Sequence, residues 1–281
     1  MTVRSRIAML AAEFLGTAVL ATVAINVSRS QIGIGYFVAI AVGAAFALLV
    51  LLFGGTSGGH FNPAVTIGLW TLRKIQTLQA IAYLAVQMLG GLAAWQLANY
   101  FVGDDLRSIA GNSFEWKVLV AEAVGAAVFT MAVAAAVYQR VNDADNVVRD
   151  GGWLNPSRVA VLLGGGLFLG VIVASLASNA ILNPAVALAN QSWSRAYIFG
   201  PIIGSVVGMN LYVLLFAPSV SLLPARAAAV KAPAVDTKAA DTKASTARVT
   251  SRSSTARSGT RTTTRKTASR RKTTTTRRRR T

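Results

Sequence analysis

The chain has 281 residues, of which 53% are hydrophobic and only 14% are charged, whereas an ordinary soluble domain has about 25% charged residues. Its net charge is +18, and residues 218–281 hold 17 of the 28 Lys and Arg but only two of the ten Asp and Glu, so this segment carries +15 and residues 1–217 carry +3. The absence of Cys and the single His exclude a disulfide framework and a multi-His metal cluster. This composition favours a membrane-embedded body with a basic segment over a nucleic-acid-binding globule.

Six segments are long and apolar enough to cross a bilayer, because about 20 apolar residues span roughly 30 Å of hydrocarbon. In chain order they are about 7–27, 35–54, 77–101, 117–138, 159–177 and 196–217. The first follows Arg4 and Arg6, as a secretory signal would, but it carries Glu13 and further spans follow it. We therefore interpret it as a retained helix of an all-α membrane protein.

The basic residues beside the spans predict the orientation, since Lys and Arg are enriched in cytoplasmic loops. With a cytoplasmic N-terminus, the inner flanks carry Arg4, Arg6, Arg73, Lys74, Arg140, Arg149, Arg158 and the basic segment, and the outer flanks carry Arg29, Arg107, Lys117 and Arg195. Both termini are therefore predicted to be cytoplasmic, which agrees with an even number of spans.

Two further apolar segments, 63–73 and 184–193, are too short to be spans. Each begins with Pro, which suits the first position of a helix, and follows an Asn, which can serve as its N-cap. Ten or eleven residues at 1.5 Å each give roughly 15 Å, half the hydrocarbon thickness. We interpret both segments as half-helices.

An internal repeat relates the two parts of residues 1–217. AEFLGTAVL (12–20) is echoed by AEAVGAAVF (121–129), and HFNPAVTIG (60–68) by ILNPAVALA (181–189). The repeats, about 1–101 and 116–217, each hold three spans and must have opposite topology. Inverted repeats place their functional site near the midplane, at the interface between the halves.

The two Asn-Pro-Ala motifs (NPA motifs) lie at matching positions of this repeat: Asn62, Pro63 and Ala64, and Asn183, Pro184 and Ala185. Opposite topology would bring the N-termini of the half-helices together, and each N-terminus presents unsatisfied N–H groups and about half a positive charge. Irregular backbone at this depth is tolerated only where it lines a water-filled cavity. We expect Asn62 and Asn183 to turn amide donors into a pore, where they interrupt a proton wire while the positive helix ends repel cations.

The segment SGGHFNPAVTIGLW (57–70) resembles the first signature of the aquaporin, or major intrinsic protein, family. The similarity covers about residues 1–217, including the small-residue patterns QMLGG and PIIGSVVG. It implies an aquaporin-like bundle of six tilted helices plus two half-helices in an inverted repeat. It also implies a homotetramer in the lipid bilayer with one pore per subunit and no cofactor or metal.

The resemblance also implies roles for individual residues. Glu13 and Glu122 would accept hydrogen bonds from the backbone of the NPA loops, with a proton relay as the alternative for ionisable groups in apolar spans. His60 would brace the first loop and face the cytoplasmic vestibule. Small residues let membrane helices approach closely, and we assign this packing role to Gly16, Gly90, Gly91, Gly125, Gly204 and Gly208.

One departure from the family pattern concerns the selectivity filter. The family's water channels and glycerol facilitators carry Arg directly after the second NPA, whereas this chain has Val186. The other filter positions fall on Val42, Val171 and Ala180. Such a filter has no charge and no side-chain donor, so only backbone carbonyls would contact the solute. It would be either wide, which the small residues favour, or gated by dewetting. Arg195 is a poor substitute because it lies roughly 13 Å further along the half-helix.

Residues 218–281 are rich in Thr, Ala, Ser, Lys and Arg and have almost no large apolar residue after Leu223. They are predicted to form a disordered cytoplasmic tail. Three possibilities stay open for it: association with anionic lipid headgroups, non-specific binding of nucleic acid, which the lack of interleaved aromatic residues disfavours, and a solvated tail without a partner.

The predicted function is a passive plasma-membrane channel for water or small uncharged solutes that excludes ions and protons. Two alternatives are an ion-coupled secondary transporter, for which only Glu13 and Glu122 offer titratable groups, and a closed family member with a structural role. No nucleophile–base pair, phosphate loop or metal-ligand set in the sequence indicates an enzyme.

Overall fold

The computed structural model describes residues 2–30, 35–110, 113–139 and 156–217. Within these ranges the chain forms eight α-helices and no β-strand. They are α1 Val3–Arg29, α2 Gly35–Ser57, α3 Pro63–Thr71, α4 Thr77–Val102, α5 Trp116–Gln139, α6 Pro156–Ala174, α7 Pro184–Ala189 and α8 Arg195–Phe216. All but α3 and α7 are long and apolar enough to cross a membrane. The predicted all-α membrane fold with six spans and two half-helices is confirmed, while the predicted tail lies outside the described residues.

The largest shift of a span from its predicted position occurs at α6, which was expected at 159–177. The helix begins at Pro156, because a residue without an N–H group is well suited to the first turn. It ends at Ala174, whose carbonyl oxygen accepts hydrogen bonds from the N–H of Ser178 at 3.0 Å and from its hydroxyl at 3.1 Å. Leu176 and Ala177 are apolar, so hydrophobicity alone does not mark this end.

Both half-helices end earlier than predicted and in the same way. Arg73 and Gln191 have φ of 56°, which is the left-handed conformation of a Schellman C-terminus. The corresponding hydrogen bonds run from the N–H of Lys74 to the carbonyl of Leu69 at 2.9 Å, and from Ser192 to Ala187 at 2.9 Å. Neither left-handed residue is Gly, so the usual sequence signal for a helix end is missing.

Corresponding helices of the two halves pack in corresponding ways. α1 packs against α2 and α4, α5 packs against α6 and α8, and α2 and α6 join the halves. The half-helices cross over, since α3 packs most extensively against α8 and α7 against α4. Each half-helix is therefore held largely by the opposite half, and α3 also contacts α7.

Glycines lie where helix backbones come closest. A Cβ atom on Gly91 would overlap the backbone of Ala185, and one on Gly204 would overlap the backbone of Ala123. The contact between the halves depends on a pair that the sequence reading left out: a Cβ on Gly43 would lie 2.8 Å from the carbonyl oxygen of Gly164. Close packing of α2 against α6 thus needs a glycine at this crossing.

The bundle exposes large apolar side chains and buries charged ones, which is the reverse of a soluble protein. Leu52, Leu78 and Leu214 are 69%, 79% and 79% exposed, whereas Glu13 and Glu122 are completely buried. Apolar side chains exposed over a whole bundle mark a surface that faces lipid or neighbouring subunits. The chain is an integral multi-pass membrane protein.

Candidate functional site

Each NPA motif caps the half-helix that it begins. Asn62 has an extended backbone, and its side-chain oxygen accepts a hydrogen bond from the N–H of Ala64 at 2.8 Å. Asn183 does the same for Ala185 at 3.0 Å. Pro63 and Pro184 occupy the first helical positions, where a missing N–H carries no penalty.

Two reciprocal hydrogen bonds join the caps across the interface between the halves. The amide nitrogen Nδ2 of Asn62 donates to the carbonyl of Leu182 at 2.9 Å, and that of Asn183 donates to the carbonyl of Phe61 at 2.9 Å. An amide nitrogen carries two hydrogens, so one remains on each after this bond. Asn62 and Asn183 are 2% and 3% exposed and line the same cavity. The sequence indicated the lumen-facing donors but not this link between the loops.

The carbonyls that accept these bonds belong to residues with unusual backbone conformation. Phe61 has φ of 47° and Leu182 has φ of 53°. For a residue with a Cβ atom this left-handed region costs roughly 1–2 kcal/mol. Other contacts must therefore hold both loops in place.

Glu13 provides these contacts for the first loop. One carboxylate oxygen accepts from the N–H of His60 at 3.0 Å and the hydroxyl of Ser57 at 2.6 Å, and the other accepts from the N–H of Phe61 at 2.7 Å and the side-chain amide of Gln87 at 2.8 Å. The carboxylate thus binds the loop at the strained residue itself and at the residue before it.

Glu122 holds the second loop in the equivalent manner. Its Oε1 accepts from the N–H of Ile181 at 2.9 Å and the hydroxyl of Ser178 at 2.8 Å, and its Oε2 accepts from the N–H of Leu182 at 2.7 Å. The matching positions of the two glutamates in the repeat therefore correspond to matching contacts in the structure.

Sequence reading missed Ser57, Gln87 and Ser178 as partners of the glutamates. Gln87 also donates to the hydroxyl of Thr66 in α3 at 3.0 Å. The sequence does contain a signal for the role of Gln87, since a side-chain amide in an otherwise apolar span needs a hydrogen-bond partner.

His60 lies between the first loop and a cavity on the predicted cytoplasmic side. Its Nδ1 is 3.1 Å from the hydroxyl of Thr66, and its ring packs edge-on against Tyr83 with the centroids 5.2 Å apart. The lining of this inner cavity includes Ser57, His60 and Lys74. The Lys74 ammonium lies 4.3 Å from the centroid of the Tyr138 ring.

A second cavity lies on the opposite side of the NPA motifs, and we call it the outer cavity. All four predicted filter residues, Val42, Val171, Ala180 and Val186, line it together with Asn62 and Asn183. Phe46 borders both cavities and is completely buried, so it lies where they approach each other. The structure therefore brings the predicted filter and both NPA asparagines to one cavity.

The outer cavity is more polar than the four filter residues alone would make it. Ser28, Asn179 and Asn190 also line it, and the sequence reading singled out none of them. The expectation that only backbone carbonyls meet the solute here was therefore too narrow. Arg195 is not part of this lining, and its guanidinium lies 5.4 Å from the centroid of the Phe114 ring.

The half-helices α3 and α7 meet at their N-terminal ends, and a cavity lies on either side of this meeting point. Together with the six spans, this arrangement defines the class of protein as a membrane channel with an inverted repeat. A family model described as "Major intrinsic protein" matches residues 2–212. The chain belongs to the major intrinsic protein family and is a membrane channel of the kind that conducts water or small solutes. The resemblance drawn from the NPA segments is thereby confirmed.

The individual proteins with similar sequences include named aquaporins. The chain is 31% identical to Aquaporin Z of Photorhabdus laumondii subsp. laumondii over 237 residues, which cover 74% of this chain and 97% of that protein. It is 30% identical to Aquaporin PIP2-4 of Oryza sativa subsp. japonica over 204 residues, 66% of this chain and 69% of that protein.

The fold is similar to that in the X-ray structure of the aquaglyceroporin from Plasmodium falciparum. The TM-score is 0.55 at 19% sequence identity, with 77% of this chain and 97% of the other chain covered. At this identity the likeness concerns the fold alone.

Proposed function

We propose that the chain is a passive pore for water and small uncharged solutes that excludes ions and protons where α3 and α7 meet. The observation that carries the proposal is the reciprocal bonding of Asn62 and Asn183. It leaves each amide one hydrogen for a passing water beside the positive ends of two helices. A water that accepts from both amides cannot continue a proton wire, and a cation meets positive potential.

Val42, Val171, Ala180 and Val186 form the proposed filter of this pore. Their side chains are uncharged and buried at the wall of the outer cavity. A filter without a fixed charge selects by width and by the hydrogen bonds that remain available, not by repelling or attracting charge. We therefore assign it to neutral solutes.

An ion-coupled transporter has less support. Coupling needs a titratable group that meets the solute pathway, and Glu13 and Glu122 are completely buried and bonded to the loops. Neither carboxylate is among the residues that line the inner or the outer cavity. No contact among the residues that the structure describes specifically favours a closed member with a structural role.

The proposed setting is a homotetramer in the plasma membrane with both termini in the cytoplasm. Residues 1–217 would form the channel domain, with the exposed leucines facing lipid or neighbouring subunits. Residues 218–281 would form a cytoplasmic tail near anionic headgroups, because they carry a large excess of Lys and Arg.

The function is tested with the purified chain in liposomes. Stopped-flow swelling should show that water, urea or glycerol enters faster than in protein-free vesicles, without proton or ion current. Swelling indistinguishable from protein-free vesicles for all three would contradict the channel, and a solute-coupled proton flux would favour the transporter.

The filter is tested with Val186→Arg. A guanidinium in the outer cavity should narrow the pore and lower urea permeability by roughly tenfold, the effect of about 1.4 kcal/mol at the barrier. Val186→Met lengthens the side chain without adding charge, so it separates the effect of size from the effect of charge. An unchanged ratio of urea to water permeability in Val186→Arg would show that residue 186 lies outside the filter.

A further inference from the structure

Asn190 is the C-cap of the second half-helix and lies about one helical turn beyond Val186 of the proposed filter. It follows the last residue of α7 and comes four residues after Val186. Residues four apart share one side of a helix, and four residues advance the helix by roughly 6 Å. Both residues line the outer cavity, and Asn190 lies further along the chain from the NPA motif than Val186.

The side-chain oxygen of Asn190 is not engaged by the hydrogen bonds that this residue makes. Its backbone N–H donates to the carbonyl of Val186 at 2.9 Å, and its side-chain Nδ2 donates to the same carbonyl at 3.1 Å. A carbonyl can only accept, so the amide nitrogen must face it and the amide oxygen must point elsewhere. That oxygen, Oδ1, has no hydrogen-bond partner among the described residues, although Asn190 is only 1% exposed.

An unpartnered buried acceptor is rare in native proteins. The Val186 carbonyl has two lone pairs, and both are engaged by Asn190. The backbone acceptor expected at this level of the filter is therefore occupied. Oδ1 of Asn190 is therefore an unpartnered acceptor on a residue that lines the outer cavity.

We propose that Oδ1 of Asn190 accepts a hydrogen bond from the permeating solute and makes Asn190 a specificity-determining residue of this pore. The inference rests on the proposed function and names the solute class: small neutral molecules that carry N–H or O–H donors, such as small amides and polyols. Urea and glycerol are suitable probes.

A solute larger than water depends on this acceptor more than water does. A solute that fills the cross-section loses its hydration on every side facing the apolar filter residues. A water molecule can keep hydrogen bonds to the waters before and behind it in single file. The acceptor therefore lowers the barrier for the larger donor-bearing solute selectively.

The inner end of the outer cavity complements the same solutes. Asn62 and Asn183 each keep one amide hydrogen for an acceptor. Asn183 precedes Asn190 by seven residues, or roughly 10 Å along the helix. A molecule with both donors and acceptors thus meets an acceptor first and donors next as it moves inward.

The test uses two variants and a matched control in liposomes. Asn190→Leu replaces the amide by a group of the same shape, and Asn190→Ala removes it. Gln191→Met is the control, because Gln191 also donates its side-chain amide to a backbone carbonyl, that of Leu188 at 3.0 Å, but is not among the residues that line the outer cavity. Urea, glycerol and water permeability are measured on the same vesicles.

Both Asn190 variants should lower the ratio of urea or glycerol permeability to water permeability by about five- to tenfold, the effect of one lost hydrogen bond. Gln191→Met should leave the ratio unchanged. Urea entering Asn190→Ala vesicles faster than wild type would mean that the side chain only obstructs the pore, and this overturns the proposal. An equal loss of water and solute permeability would overturn it as well.

Failure of the proposed function has a separate signature. In that case wild-type vesicles themselves swell no faster than protein-free vesicles. If wild type transports and the Asn190 variants keep its permeability ratio, only the assignment of Asn190 is overturned.

Discussion

Two buried carboxylates hold the irregular backbone on which the NPA motifs depend. The left-handed conformations of Phe61 and Leu182 cost roughly 1–2 kcal/mol each. Hydrogen bonds to a charged acceptor contribute about 1.5–3 kcal/mol each, and Glu122 accepts two from the backbone of the second loop. The carboxylate bonds therefore outweigh the strain, and the carbonyls of Phe61 and Leu182 stay available to Asn183 and Asn62.

Glu122→Gln tests this balance. A glutamine side chain has one accepting oxygen, and its NH₂ group would face the N–H of Leu182 or Ile181, so at least one buried donor loses its partner. We expect a destabilisation of about 2–4 kcal/mol, measured as a lower apparent melting temperature in detergent.

Glu115→Gln is the control, because Glu115 is exposed near the start of α5. It should leave the melting temperature unchanged. If Glu122→Gln were as stable as wild type but changed a proton flux, a relay would be the better account of Glu122.

At the scale of helices, the crossed packing of the half-helices makes the two halves interdependent. α3 begins in the first half but packs most extensively against α8, and α7 packs against α4. Gly91 of α4 allows this second contact, because a Cβ atom there would overlap Ala185 at the start of α7. A change in span packing therefore displaces an NPA motif as well.

Gly204→Ala tests how closely α5 and α8 must approach. The added methyl group overlaps the backbone of Ala123, so the helices must separate. Overpacking of this kind costs about 1–3 kcal/mol, and the apparent melting temperature should fall.

Gly165→Ala in α6 adds the same methyl group where nothing lies within 4 Å. This control should be neutral or gain up to about 1 kcal/mol, because Ala favours helix over Gly. Equal effects of the two substitutions would contradict the close α5–α8 contact.

For the molecule as a whole, charge is separated along the chain. Residues 218–281 carry 17 basic and two acidic residues, a net +15 out of the total +18. Each Lys or Arg near an anionic leaflet contributes up to about 1 kcal/mol before screening. Charge and apolar surface thus belong to different parts of the chain.

A peptide of residues 218–281 should bind vesicles that contain anionic lipid and dissociate at high salt, as followed by co-sedimentation. Replacement of the four arginines 277–280 by glutamine should weaken the binding. Equal binding to zwitterionic vesicles would contradict an electrostatic attachment. Tighter binding to an oligonucleotide at the same salt would favour the nucleic-acid alternative.

The sequence by itself determined the class of this protein. Span length, the Pro and Asn at the start of each half-helix, and the repeat of the NPA motif depend on the hydrocarbon thickness and on local helix capping. These are properties of neighbouring residues. They were enough to predict six spans, two half-helices and their meeting at Asn62 and Asn183.

Only the tertiary structure decided which atoms of these residues are engaged and which are free. The bonds from Asn62 to Leu182 and from Asn183 to Phe61 join residues 120 and 122 positions apart. The free oxygen of Asn190 likewise depends on where α7 ends and on which carbonyl its amide meets. Such pairings follow from how the two halves pack in space, and no local pattern in the chain specifies them.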